Sequence, residues 1–234
     1  MKMTPDGPMA IPCWVNGHAY LTVTDAFHDV VDPRSGTVQH RVPLCGVDEV
    51  AEASFAARSA LAGWSTLSRP ERRKHLAALA KALHDFTGHF SRLVAGETGK
   101  DEDAARAEVE HAVALFKEPT GTGRAQVLGA ITDAQAPLAG LAGLIAPALD
   151  AGATVVCKPS PKAPSAAFAL CELATRCGIP AGVINLVQGD EAAVDGLCAN
   201  ADIDGLIFSG DSALGQRIAA RAAHQGKPFV HQGR

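Results

Sequence analysis

No run of eighteen apolar residues occurs in the 234-residue chain, which argues against a membrane-spanning helix. The first eleven residues lack the basic-then-apolar order of a secretory signal, so the protein is expected in the cytoplasm. Lysines and arginines are scattered rather than striped, and the net charge is −4, which removes the electrostatic footing for nucleic acid. No C-x-x-C occurs among the six cysteines (Cys13, Cys45, Cys157, Cys171, Cys177, Cys198), and their spacing forms no framework. They read as reduced, mostly buried thiols. Nine histidines without ligand spacing give no metal site. What is present is ordinary for a globular chain: 47% hydrophobic and 20% charged residues, enough to bury one core.

Three textures follow one another, read together as a single domain over 1–234. Residues 1–45 hold short alternating stretches broken by Asn16-Gly17, Asp32-Pro33 and Ser35-Gly36, which predict a few strands and tight turns. Residues 46–120 are alanine-rich with helical period and are expected to form one helical layer. In its first helix Val50, Ala53, Ala57, Leu61 and Trp64 share a face, with Asp48 as a candidate cap. Ser68 and Pro70 start a second helix with Leu76, Leu79, Ala80 and Leu83 inward, and a third is expected over 101–117.

Residues 125–234 alternate apolar, β-branched runs (127–131, 154–157, 183–187, 206–208) with helical stretches (138–149, 164–177, 191–199, 212–224). Continuous apolar strands separated by helices predict a three-layer αβα fold with a mostly parallel, Rossmann-like sheet. Ligands of such sheets lie beyond the carboxyl ends of the strands, in the loops after residues 131, 157, 187 and 208.

Those loops carry a resemblance. Glu97-Thr98-Gly99-Lys100, Ala107-Glu108-Val109, Lys158-Pro159-Ser160, Gly178-Ile179-Pro180-Ala181-Gly182 and Phe208-Ser209-Gly210-Asp211-Ser212 with Gly215 stand in the order found in the aldehyde dehydrogenase superfamily, and the chain resembles that family's nucleotide-binding half. The resemblance implies an NAD(P)-binding sheet, a cysteine nucleophile, an oxyanion-hole asparagine and a glutamate general base. It also implies that the catalytic half, with its nucleophile, falls beyond Arg234, and none of the six cysteines matches that nucleophile. Cys157 lies inside a strand, where a small apolar residue is normal. Gln232 stands at the position of the glutamate, with His231 there if the register slips by one, and His231 is expected to face solvent. Gln135 stands at the asparagine position, with its amide on a longer arm. No catalytic residue is therefore carried over, Gln135 and Gln232 being degenerate positions.

Cofactor contacts map onto Lys158, Ser160, Gly189, Gly210, Ser212 and Gly215. Pro161 replaces a ribose-binding glutamate, Glu191 replaces the second glycine of the turn that Gly189 opens, and Asp211 replaces a serine that faces phosphate. A carboxylate about 5 Å from a phosphate oxygen costs about 3 kcal/mol at an effective dielectric of about 20, roughly a hundredfold in affinity. The expectation is no resident cofactor, or NAD or NADP held at low affinity. The family's oligomerisation arm is missing between Lys117 and Val127. A protein partner is expected on the apolar surface that a catalytic half would otherwise bury, first at the edge over 226–234. The chain reads as a catalytically inactive binding, structural or regulatory subunit; the alternative is an NAD(P)-dependent oxidoreductase half completed by a separate polypeptide bearing the cysteine.

Overall fold

Val127–Thr132 (β5), buried at every residue, is an interior strand of the sheet. The computed structural model describes residues 8–20 and 22–232. Chain order is β1 (Cys13–Val15), β2 (His18–Tyr20), β3 (Phe27–Val31), β4 (Val38–Pro43), α1 (Val47–Thr66), α2 (Arg69–Asp85), α3 (Thr87–Thr98), α4 (Glu102–Lys117) and β5, followed by α5 (Pro137–Asp150), β6 (Thr154–Lys158), α6 (Ser165–Arg176), β7 (Ile184–Leu186), α7 (Glu191–Ala199), β8 (Gly205–Ser209), α8 (Ser212–His224) and β9 (Phe229–Gln232). The seven-stranded sheet runs β2-β1-β7-β6-β5-β8-β9. Strands β5 to β9 are mutually parallel, whereas β1 joins β7 antiparallel and β3–β4 form a separate ribbon. The fold is the expected α/β class. β9 is the outer edge, described as far as Gln232; Gly233 and Arg234 lie outside the described residues.

The helical stretch expected as one layer is divided between the two faces of the sheet. Val50, Ala53 and Ala57 of α1 pack with Val127, Ile131, Val156 and Phe208 beside α7 and α8. Leu76, Leu79, Leu83, Phe90, Val109 and Phe116 of α2–α4 pack with Leu128, Leu141 and Leu170 on the opposite face. α2 begins as its sequence signals: Glu71 Oε2 accepts from the Ser68 amide at 2.7 Å and from the Ser68 hydroxyl at 2.6 Å. α1 differs. Asp48 lies inside the first turn, and it is Glu49 that accepts the Gly46 amide, at 2.9 Å. α3 lies outside the individual helices that the sequence predicts, because its glycines (Gly88, Gly96) and the apolar Phe86 at its cap position give weak local signals. Burial of Phe90 and Val94 holds it in place.

At the end of α5, Asp150 is fully buried and binds Arg69 (2.5 Å) and Arg73 (2.9 Å) of α2 and the Gly121 amide (3.1 Å). This cluster ties α2, α5 and the α4–β5 connection together. Among the described residues no helix is long and apolar enough to cross a membrane, and none of their His, Cys, Asp and Glu side chains gather in a group of three or more that could hold a metal ion.

Candidate functional site

A cleft of about 540 Å³ opens at the carboxyl ends of β5 and β6 and is walled by the first turns of α7 and α8. Gln135, Lys158, Ser160, Asp190, Glu191 and Asp211 line it. Its geometry is set by carboxylates that take up backbone amides.

On α8, Asp211 Oδ1 accepts from the amides of Ala213 (2.9 Å) and Leu214 (3.0 Å). The amide of Asp211 itself donates to Asp133 Oδ2 at 2.9 Å, and Asp133 Oδ1 accepts from Gln135 at 2.9 Å. Two carboxylates thus occupy three amides at the start of this helix, where an anionic ligand would bind. Gly210 makes the approach possible: its φ is +154°, and a Cβ there would lie 2.7 Å from the Asp133 carboxyl carbon and from Phe208. Gly215 likewise lets α8 pack on His231, whose ring would sit 3.1 Å from an added Cβ. Ser212 is exposed at the first position of α8.

At the other end of the cleft Lys158 is 4% exposed, with its Nζ donating to the Pro159 carbonyl at 3.0 Å. Burial pushes its pKa down to about 8 against the pull of Asp190. Asp190 caps α7 through the Ala192 amide at 3.3 Å, and the Ser160 hydroxyl accepts from Lys162 at 3.3 Å. Gly189 (φ +119°) serves packing: an added Cβ would meet the Cys45 carbonyl at 2.9 Å.

Two charge expectations change. Glu191 does not stand as a bare carboxylate, because Arg221 pairs with it at 2.7 Å and holds its carboxyl below the ordinary range. The second acid at the helix start is instead Asp133, which is not among the residues the sequence singles out. Its signal was an acidic side chain immediately after a fully buried strand.

The loop carrying Gln135 is braced from the helical layer. Lys100 Nζ donates to the Gln135 carbonyl at 2.7 Å and pairs with Glu108. Glu108 Oε1 accepts the Leu138 (2.9 Å) and Ala139 (3.2 Å) amides, so it caps α5 from thirty residues away. The Glu97-Thr98-Gly99-Lys100 and Ala107-Glu108-Val109 motifs are thereby accounted for as structure. Glu97 accepts the Ser165 amide at 3.0 Å and the Ser165 hydroxyl. Burial pushes its pKa up from 4.5 to about 7. A raised folded-state pKa contributes stability that is full below the ordinary value and is lost as pH rises through the folded value. About 3 kcal/mol should therefore disappear between those two values, and Glu97→Gln should flatten the change in urea midpoint between pH 5 and pH 7.5. An unchanged slope would assign the buried charge no cost.

Gln135 and Gln232 are not brought together. Gln232 lines a separate groove with Gly143, Leu144 and Val230. His231 does not face open solvent: its Nε2 lies 3.0 Å from the Gly210 carbonyl and its ring 5.2 Å from Phe208.

The aldehyde dehydrogenase family pattern matches residues 21–232. The chain belongs to the aldehyde dehydrogenase family. It is 31% identical over 223 residues to succinate-semialdehyde dehydrogenase [NADP(+)] of Escherichia coli, covering 83% of this chain and 45% of that one. It is 37% identical over 206 residues to N-succinylglutamate 5-semialdehyde dehydrogenase of a Caulobacter species, covering 79% and 42%. A solved aldehyde dehydrogenase from Brucella melitensis superposes with a TM-score of 0.89 at 27% identity, over 100% of this chain and 53% of that chain. An NADP-dependent enzyme of Escherichia coli superposes equally well, with a TM-score of 0.89 at 28% identity, over 96% and 52%. This aldehyde dehydrogenase domain spans about half the length of the relatives it matches.

Proposed function

We propose that this aldehyde dehydrogenase domain acts as a binding or structural subunit of an enzyme complex and not as an oxidoreductase on its own. The observation that carries the reading is the pair Asp133 and Asp211, whose carboxylates take the α8 amides that a dinucleotide pyrophosphate would need. The residues of the cleft do not fit that group at α8. Gln135 in place of the asparagine, and Gln232 in place of the glutamate in a separate groove, point the same way. The partner in this reading is a protein that meets the β9 edge, where Val230 is 55% exposed beside a groove of about 480 Å³.

A second reading, an NAD(P)-dependent aldehyde oxidoreductase completed by a separate cysteine-bearing polypeptide, draws support from Lys158 and from Arg217 and Arg221 at the same cleft. Calorimetric titration separates the two. Dissociation constants for NAD and NADP weaker than about 1 mM are expected; micromolar binding would favour the second reading and remove the charge argument. Size-exclusion chromatography of the native complex then names what travels with the chain, with co-elution of a cysteine-bearing catalytic polypeptide counting against the subunit role.

A further inference from the structure

Two cysteines that lie 32 residues apart meet in the core. Cys13 of β1 and Cys45, just before α1, place their Sγ atoms 3.4 Å apart, and both residues are buried. The Gln188 amide donates to Cys13 Sγ at 3.3 Å. We propose that Cys13 and Cys45 form an oxidisable dithiol, a site of intramolecular disulfide formation that links β1 covalently to the start of α1 when a peroxide is present.

The roles of the two sulfurs follow from their neighbours. Cys13 is held below the ordinary thiol range by the hydrogen bond from Cys45 and by the Gln188 amide, which outweigh burial, so of the two sulfurs it gives up its proton first. Cys45 is pushed up by donating to Cys13 and by burial, so it keeps its proton. The other perturbed thiols go the opposite way to Cys13: Cys157 is pushed well up by the adjacent Cys171 and by complete burial, and Cys177 and Cys198 are raised by burial. In the first step the Cys13 thiolate attacks one oxygen of hydrogen peroxide, forming S–O, breaking O–O and releasing hydroxide; this sulfur is oxidised by two electrons. In the second step Cys45 sulfur attacks Cys13 sulfur, S–S forms, S–O breaks, and the departing hydroxyl takes the Cys45 proton to leave as water. Both sulfurs are buried, so peroxide reaches them through local opening around β1, which pairs with β7 at one register position, Trp14 with Leu186.

The test uses the full chain, treated with dilute hydrogen peroxide, alkylated under denaturing conditions, digested with trypsin and mapped by mass spectrometry. The expected product is peptide 3–34 joined to peptide 42–58, lighter by about 2 Da than the sum of the two thiol forms, with the other four cysteines alkylated. The melting temperature should rise by about 5–10 °C and return on adding dithiothreitol, because the closed loop restricts the unfolded chain. In Cys45→Ser the bridge should be lost and Cys13 sulfenic acid should be captured by dimedone. Recovery of Cys13 and Cys45 as free thiols while Cys177 is oxidised overturns the proposal. A Cys157–Cys171 bridge forming first, or Cys13 passing to sulfinic acid with Cys45 present, overturns it as well.

Discussion

Asp133→Asn combined with Asp211→Ser should raise the affinity for NADP and NAD about a hundredfold. Each carboxylate near a phosphate oxygen opposes binding by up to about 3 kcal/mol at an effective dielectric of about 20. Asp211 is exposed, so its share is reduced by solvent and salt, whereas Asp133 is 8% exposed and less screened. A combined gain of about 2.7 kcal/mol after that discount is a hundredfold. The substitutions keep most of these hydrogen bonds: serine caps a helix nearly as well as aspartate, and asparagine retains one acceptor oxygen, so one of the two amides bound by Asp133 loses its partner. Calorimetry on the double variant reads the gain, and its salt dependence should be weaker than that of the parent. If the double variant binds no better than the parent, the acids at α8 are not what closes the cleft, and the subunit reading loses its main support.

Asp150→Ala should lower the unfolding free energy by about 3 kcal/mol, a large share of the 5–15 kcal/mol typical of a domain. The substitution leaves the Arg69 and Arg73 guanidinium groups and the Gly121 amide without their shared acceptor. Both arginine side chains are 48% exposed and can turn to water, which keeps the loss at the lower end for a broken buried pair. The arginines hold the Asp150 carboxyl well below the usual range. A depressed folded-state pKa gives stability that is present above the ordinary value and lost as pH falls, so the variant should also show a flatter acid limb below about pH 4. Asp29→Ala is the control, since its pair with Arg41 is about half exposed on both sides and should be worth less than about 1 kcal/mol. Urea midpoints for the two variants check the contrast; equal losses would mean that burial of Asp150 has no special weight.

Much of this protein was legible along the chain. The runs at 127–131, 154–157, 183–187 and 206–208 became β5 to β8 within one or two residues, because strands buried on both faces need uninterrupted apolar, β-branched side chains. α7 and α8 span the expected stretches 191–199 and 212–224, and Asp190 and Asp211 cap their first turns, a local transaction between a side chain and the next turn. Motif order was enough to place the chain in its family. The pairing of Glu191 was not legible, for a reason of the opposite kind: Arg221 stands thirty residues further on, and nothing local announces the pair.

Sequence alone therefore determined most of the elements, the parallel sheet and the family, all of which rest on periodicity and on contacts between near neighbours; α3 is the exception. Tertiary structure decided which residues meet. It set α1 on the opposite face of the sheet from α2–α4, brought the Asp211 amide to Asp133 across 78 positions, seated Glu108 on the start of α5, and joined Cys13 to Cys45. Periodicity reports that a side chain is buried, but its partner is fixed only when separate elements pack. At this cleft those packed partners are acids on the amides of α8.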